Sequence, residues 1–217
     1  MCKFWLLVVI VLGAGVEAQT DSFLPEATPR LYVTNNYGLM AKIPKGLTYC
    51  RLPEGWSGSD HGTVLFLEPP PACIPSHAYA SSSRPTTEFA PAIYLYYEHN
   101  VAEIDRGSGE SSPPRTSAEY ARQSCDRPYL RIPPGLRLLG RPAVGCRHDD
   151  GDRVEIALAA LYWSRDEGVI VTLSTTRKRL PQDLPMLAKV AGAVSVCRPN
   201  WDRSKRLVPA CPDAPWW

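Results

Sequence analysis

Three consecutive segments decide the fold: Arg153-Val154-Glu155-Ile156-Ala157-Leu158-Ala159-Ala160-Leu161-Tyr162-Trp163, the short Ser164-Arg165-Asp166-Glu167, and Gly168-Val169-Ile170-Val171-Thr172-Leu173-Ser174-Thr175. The outer two are rich in β-branched and other apolar residues, and the polar segment between them suits a turn, so they are predicted to form a long antiparallel hairpin. Working outward towards the N-terminus, Asp149-Asp150-Gly151-Asp152 has the composition of a tight connection, and Pro142 to Arg147 adds a further antiparallel strand. Gly38 to Ile43, Thr63 to Leu67 and Ala92 to Tyr97 read as three earlier strands, each bounded by glycine or proline.

Two helices are expected beside these strands. Thr116-Ser117-Ala118-Glu119 has the form of a capping box, with Glu119 three residues after Thr116, and Ala118 to Cys125 continues it. After Pro181-Gln182-Asp183, the residues Leu184, Leu187, Ala188, Ala191 and Val194 recur at helical spacing and make one apolar stripe. The expected class is therefore α+β, a largely antiparallel sheet with helices packed on it.

The N-terminal residues 1–18 read as a signal peptide: Lys3 is a short positive region, Phe4 to Val16 is apolar, and Val16-Glu17-Ala18 is a small-x-small cleavage pattern. That run is shorter than the roughly 20 residues a membrane-crossing helix needs, and no acylation cysteine follows the cut, so no stable membrane anchor is expected. Loss of the leader removes Cys2 and leaves Cys50, Cys73, Cys125, Cys146, Cys197 and Cys211, an even number in an exported chain. Six cysteines allow 15 pairings. Neighbours along the chain suggest Cys50 with Cys73, Cys125 with Cys146, and Cys197 with Cys211. Zinc is disfavoured because no two cysteines have the short spacing of a zinc knuckle. The chain divides into the leader, an extension over 19–30, one domain over 31–197 with a flexible loop near 105–115, and an irregular proline-bearing tail over 198–217 that Cys211 ties back. The expected compartment is the periplasm or the extracellular medium, and the lack of an Asn-x-Ser/Thr sequon fits a bacterial envelope.

The net charge of +2 is too small to imply nucleic acid as a partner, and Arg177-Lys178-Arg179 reads as a solvated loop. Catalytic and metal chemistry find little support. Counting from Asp149, the twelfth position of a calcium loop falls on Ala160, inside an apolar strand, so His148-Asp149-Asp150-Gly151-Asp152 reads as a turn. His61, His77, His99 and His148 are scattered, with no pair at i, i+4 spacing. Asp60-His61-Gly62 reads as a turn, and Gly55-Trp56-Ser57-Gly58-Ser59 lacks the spacing of a nucleophile elbow. No catalytic residue, no metal site and no cofactor is assigned. Aromatic residues are the remaining signal. A strand over Ala92 to Glu98 places Ile93, Leu95 and Tyr97 on one face and Tyr94, Tyr96 and Glu98 on the other. Tyr94 and Tyr96, with Trp56 on a glycine-rich loop and Trp216 and Trp217 at the C-terminus, are the candidate partner-binding residues.

Gly38-Leu39-Met40-Ala41-Lys42-Ile43-Pro44-Lys45-Gly46 resembles the glycine, apolar strand and Ile-Pro-x-Gly turn of the PsbP-like group. Leu139-Gly140-Arg141-Pro142-Ala143 is similar to that group's Gly-x-Pro-Ala approach to its central hairpins, and Leu184 to Val196 to its last helix. The resemblance spans Leu31 to Cys197, with the cysteines and the tail outside its pattern, and implies an α/β/α sandwich; together with the leader and the disulfides expected above, it implies a stapled binding module in the periplasm. The expected function is an exported, non-catalytic protein-binding protein, such as an immunity or inhibitor protein that occludes an exported toxin or enzyme. The alternatives are a hydrolase whose site assembles only in the fold and a structural subunit of an envelope complex.

Overall fold

The computed structural model describes residues 30–34, 37–49, 62–68, 90–98, 101, 114–125, 131–163, 167–199 and 208–212. In chain order the elements are β1 (Arg30–Thr34), β2 (Leu39–Ile43), β3 (Thr48–Tyr49), β4 (Gly62–Phe66), β5 (Ala92–Glu98), α1 (Ser117–Ser124), β6 (Arg137–Leu138), β7 (Arg141–Pro142), β8 (Val144–Asp150), β9 (Arg153–Tyr162), β10 (Glu167–Thr176), α2 (Leu180–Ala193) and β11 (Val194–Val196). The predicted hairpin is present: β9 and β10 pair antiparallel from Tyr162 opposite Glu167 to Arg153 opposite Thr176. Around it lies an antiparallel sheet in the order β3-β4-β5-β10-β9-β8. A smaller sheet, β1-β2-β11, is also antiparallel.

Alternation along the hairpin sends its side chains into two separate cores. Val154, Ile156, Leu158, Ala160 and Tyr162 of β9, Val169, Val171 and Leu173 of β10, and Ile93, Leu95 and Tyr97 of β5 join Leu39, Ala41 and Ile43 of the small sheet and Leu187, Val190 and Ala191 of α2. Ala159 and Leu161 point the other way and pack with Val101, Tyr120 and Ala121, so α1 covers the β8–β9 half of the second face. A strand buried on both faces reads as a nearly unbroken apolar run, which is what Ile156 to Tyr162 shows. The architecture is thus an α+β sandwich with antiparallel sheets.

The capping box at α1 forms with a shifted partner. The Glu119 backbone N–H donates to Thr116 Oγ1 at 3.1 Å, while the Glu119 carboxylate accepts from the Arg115 N–H at 2.6 Å in place of that of Thr116. Ser117 then ties the helix to the sheet. Pairing with β8 stops at Val144 opposite Ala159, and the Leu161 N–H two residues further along donates to Ser117 Oγ at 3.0 Å. Tyr120 is fully buried and its hydroxyl donates to Glu98 at 2.8 Å.

Three sequence expectations need correction. The last helix starts at Leu180 and ends at Ala193, whereas Val194 to Val196 form a strand beside β2, because hydrogen bonds to Leu39 to Ala41 take over from the helical ones. Asp149 and Asp150 belong to β8, and with Asp150 opposite Arg153 the turn itself is only Gly151-Asp152. Arg177-Lys178-Arg179 is not simply solvated. Arg179 donates to both carboxylate oxygens of the buried Asp183 at 3.2 Å and pairs with Glu68, and Asp183 also accepts from the buried Thr175 hydroxyl. Arg177 Nη2 lies 3.4 Å from Asp149, which Arg147 grips through two bonds of 2.7 and 2.9 Å. Those bonds hold the Asp149 carboxyl below the usual carboxylate range.

Two of the expected disulfides are present. Cys125 at the end of α1 joins Cys146 of β8, and Cys197 after β11 joins Cys211, where Arg198 and Ala210 make a parallel bridge. Cys50 and Cys73, like residues 1–29, lie outside the described residues.

Two glycines separate close packing from open surface. A Cβ at Gly168 would sit 2.4 Å from the buried Tyr120 hydroxyl, whereas one at Gly192 in the last turn of α2 meets nothing within 4 Å. Gly168→Ala is therefore expected to destabilise by about 1–3 kcal/mol through overpacking, and Gly192→Ala to stabilise by about 0.5 kcal/mol through helix propensity. Urea denaturation of the oxidised variants measures both. A second prediction concerns pH. Because the folded pKa of Asp149 is depressed below an unfolded value of about 3.9, its contribution is complete above that value and is lost as pH falls through the folded one. The stability gap between wild type and Arg147→Met, about 1 kcal/mol or less for a surface pair, is expected to close on acidification from about pH 5 to about pH 2.

Candidate functional site

Strand β5 lies between β4 and β10, and its alternating sequence puts two tyrosines side by side on the face opposite the main core. Tyr94 is flanked by Val64 and Thr172, and Tyr96 by Gly62 and Ile170. Their rings are parallel within 3° with centroids 5.9 Å apart, an offset stack. The absence of a side chain at Gly62 makes the room, since a Cβ there would lie 3.0 Å from Tyr96 Cδ1 and 2.3 Å from the Leu95 carbonyl oxygen. Tyr94 packs at its other side on Val64, Phe66 and Ala92, all fully buried.

Both tyrosines stay half-buried. The helix α1 packs on β8 and β9, and among the described elements no helix lies over the Tyr94–Tyr96 stretch. The third residue of that row, Glu98, is held by the Tyr120 hydroxyl, so the row is rigid at one end and aromatic along the rest. A rigid aromatic pair with few rotatable bonds loses little entropy on contact, which suits it to protein recognition.

The other sequence candidates do not join this pair within the described residues. Trp56, Trp216 and Trp217 lie outside them, as do His61, His77 and His99. His148 is placed: it sits on β8 opposite Glu155, and its Nε2 is buried with no hydrogen-bond partner among the described residues. Among the described residues no serine hydroxyl meets that nitrogen, so they form no nucleophile–base contact of a hydrolase triad at His148. Among the described residues no group of three His, Cys, Asp or Glu side chains is arranged to hold a metal ion, and no helix is long and apolar enough to cross a membrane.

A shallow cleft of about 140 Å³ opens between α1 and β8, lined by Ala118, Ala121, Arg122, Cys125, Val144 and Gly145. It is large enough for one side chain. Sequence patterns gave no sign of it, because it arises where the helix end is drawn onto the strand by the Cys125–Cys146 bond.

No protein-family model matches the chain, and no curated protein matches it. Among solved structures the chain is similar to the solution structure of cyanobacterial PsbP (CyanoP) from Synechocystis sp. PCC 6803, at 14% sequence identity, over 85% of this chain and 98% of that one, with a TM-score of 0.42. That structure is of the same PsbP group whose sequence pattern the chain resembles.

Proposed function

We propose that this chain is an exported, non-catalytic binding protein that recognises another protein through the half-exposed face of β5. The stacked Tyr94–Tyr96 pair carries the reading: two aromatic rings fixed in parallel on a central strand, with one edge packed on a buried apolar cluster. Tyrosine is enriched among the residues that dominate interface energies because it combines large apolar area with a polar tip. Export is supported by the two disulfides, since such bonds persist in oxidising compartments and are rare in the cytosol. Within that frame, an immunity or inhibitor role is the finer proposal. A rigid stapled scaffold that places aromatic anchors on its surface can occlude an exported toxin or enzyme without chemistry of its own.

The test is affinity capture on the oxidised mature chain, from the envelope and secreted fractions of its own cells, beside the Tyr94→Ala/Tyr96→Ala variant. The expected result is one stoichiometric protein partner whose affinity falls at least about tenfold per ring removed, with thermal unfolding of the variant still cooperative. Recovery of the same partner at equal strength by both proteins, or of none by the wild type, counts against the reading.

A further inference from the structure

The end of the sandwich at the β9–β10 turn gathers chemistry that the proposed interface does not use. Tyr162, the last residue of β9, faces Glu167, the first of β10, and both are buried, at 7% and 8% exposure. Tyr97 lies on the same face one strand away, opposite Val169, and its ring centroid is 4.3 Å from that of Tyr37 in the β1–β2 turn. Trp163 follows Tyr162 with its ring 6.4 Å away. It adopts a left-handed backbone, φ 45°, which an L-residue takes only at a cost. That conformation lays the indole over Gly38, where a Cβ would lie 2.7 Å from Trp163 Nε1 and 2.5 Å from the Cys197 carbonyl oxygen, so a side chain at Gly38 is excluded. The Cys197 N–H donates to the Gly38 carbonyl at 2.8 Å, and the Cys197–Cys211 bond stands behind it.

Four aromatic rings and a carboxylate therefore meet at one end of the main core. Ring faces carry partial negative charge and a carboxylate a full one, so both favour the same ligand, a cation. The Tyr162 hydroxyl is buried and has no hydrogen-bond partner among the described residues. Such groups are rare in folded proteins and call for an explanation. Burial, with the Glu167 carboxylate and the Tyr97 and Tyr37 hydroxyls adding to it, pushes the Tyr162 phenol far above its ordinary range, so it stays neutral and its oxygen accepts a hydrogen bond. Tyr37 and Trp163 are half-buried and give the cluster its contact with solvent.

We propose that the cluster of Tyr37, Tyr97, Tyr162, Trp163 and Glu167 is a recognition site for a primary alkylammonium group, of the kind carried by a lysine side chain or a small free amine. The ring faces attract the charge, and the Tyr162 oxygen and the Glu167 carboxylate accept from its N–H bonds. A quaternary ammonium has no N–H to donate and is the poorer ligand. The site lies on the core face of the large sheet, opposite Tyr94 and Tyr96, and stands or falls independently of the interface proposed there.

The experiment is a titration of the ¹⁵N-labelled, oxidised chain with n-butylammonium, following the Trp163 indole N–H, assigned with Trp163→Phe, and the Gly38 amide. Both signals are expected to move saturably, with n-butanol producing no saturable shift and tetramethylammonium binding at least about fivefold more weakly. Glu167→Gln is expected to weaken n-butylammonium at least about tenfold. Tyr37→Leu, at the half-buried rim, supplies a second variant should Glu167→Gln fold poorly, with a loss of about threefold or more. A pentapeptide with one central lysine separates the sources: competition at comparable or higher affinity identifies a protein partner, and binding of the small amine alone identifies a free amine. Absence of saturable shifts, an equal response to n-butanol, or tetramethylammonium binding as tightly as n-butylammonium would overturn the proposal.

Discussion

The register of β9 against β10 is the constraint on which the rest of the molecule depends. Once Tyr162 faces Glu167 and Arg153 faces Thr176, every side chain of the two strands is assigned to one of the sheet's two faces. A slip of β9 by one residue would turn Ile156 and Leu158 to the α1 side and Glu155, Ala157 and Ala159 to the main core, leaving small and polar groups where the small sheet and α2 require bulk. Strand β5 and the edge strand β8 inherit their register from this pair, and α2 begins four residues after β10 ends. The row of Tyr94, Tyr96 and Glu98 and the cluster at Glu167 are both consequences of it.

The hairpin was legible because its residues satisfy two demands at once, β-propensity and burial on both faces. The start of α1 was legible because capping is a local matter of Thr116 and Glu119. Other parts were hidden for identifiable reasons. The stripe through Leu184, Leu187, Ala191 and Val194 runs on through the change from helix to strand, Gly192 lies inside the last helical turn, not after it, and only pairing with β2 shows that Val194 has left the helix. The short β6–β7 hairpin turns at Leu139-Gly140 with φ values of 51° and 72°, and a leucine in the left-handed region is not a residue that sequence patterns mark as a turn. Its side chain packs against the main core, which offsets the strain. At the candidate interface, alternation separated Tyr94 and Tyr96 from Ile93, Leu95 and Tyr97. Which face a helix would cover depends on topology, and the cluster at Glu167 draws on residues more than a hundred positions apart, beyond the reach of any local pattern.

The disulfides act where secondary structure gives out. Cys125 sits at the point where α1 ends on one side of the large sheet, and Leu136 and Leu138 lie in the core on the other side. Fastening that point to β8 holds a short helix whose own propensity is modest. The Cys197–Cys211 bond does the same for the segment after β11. Loops of this size are worth about 3 kcal/mol each in the chain-entropy view, comparable with the contribution of a buried leucine.

The Cys125–Cys146 bond also changes how the molecule responds to force. If the chain were drawn out from its two ends, tension would pass directly from sulfur to sulfur, and the 21-residue separation between them would carry none of it. At about 3.4 Å per residue, about 70 Å of contour length would stay hidden, and with it the β6–β7 hairpin. The covalent ring is a mechanical bypass, and only its reduction would return that length to the extending chain.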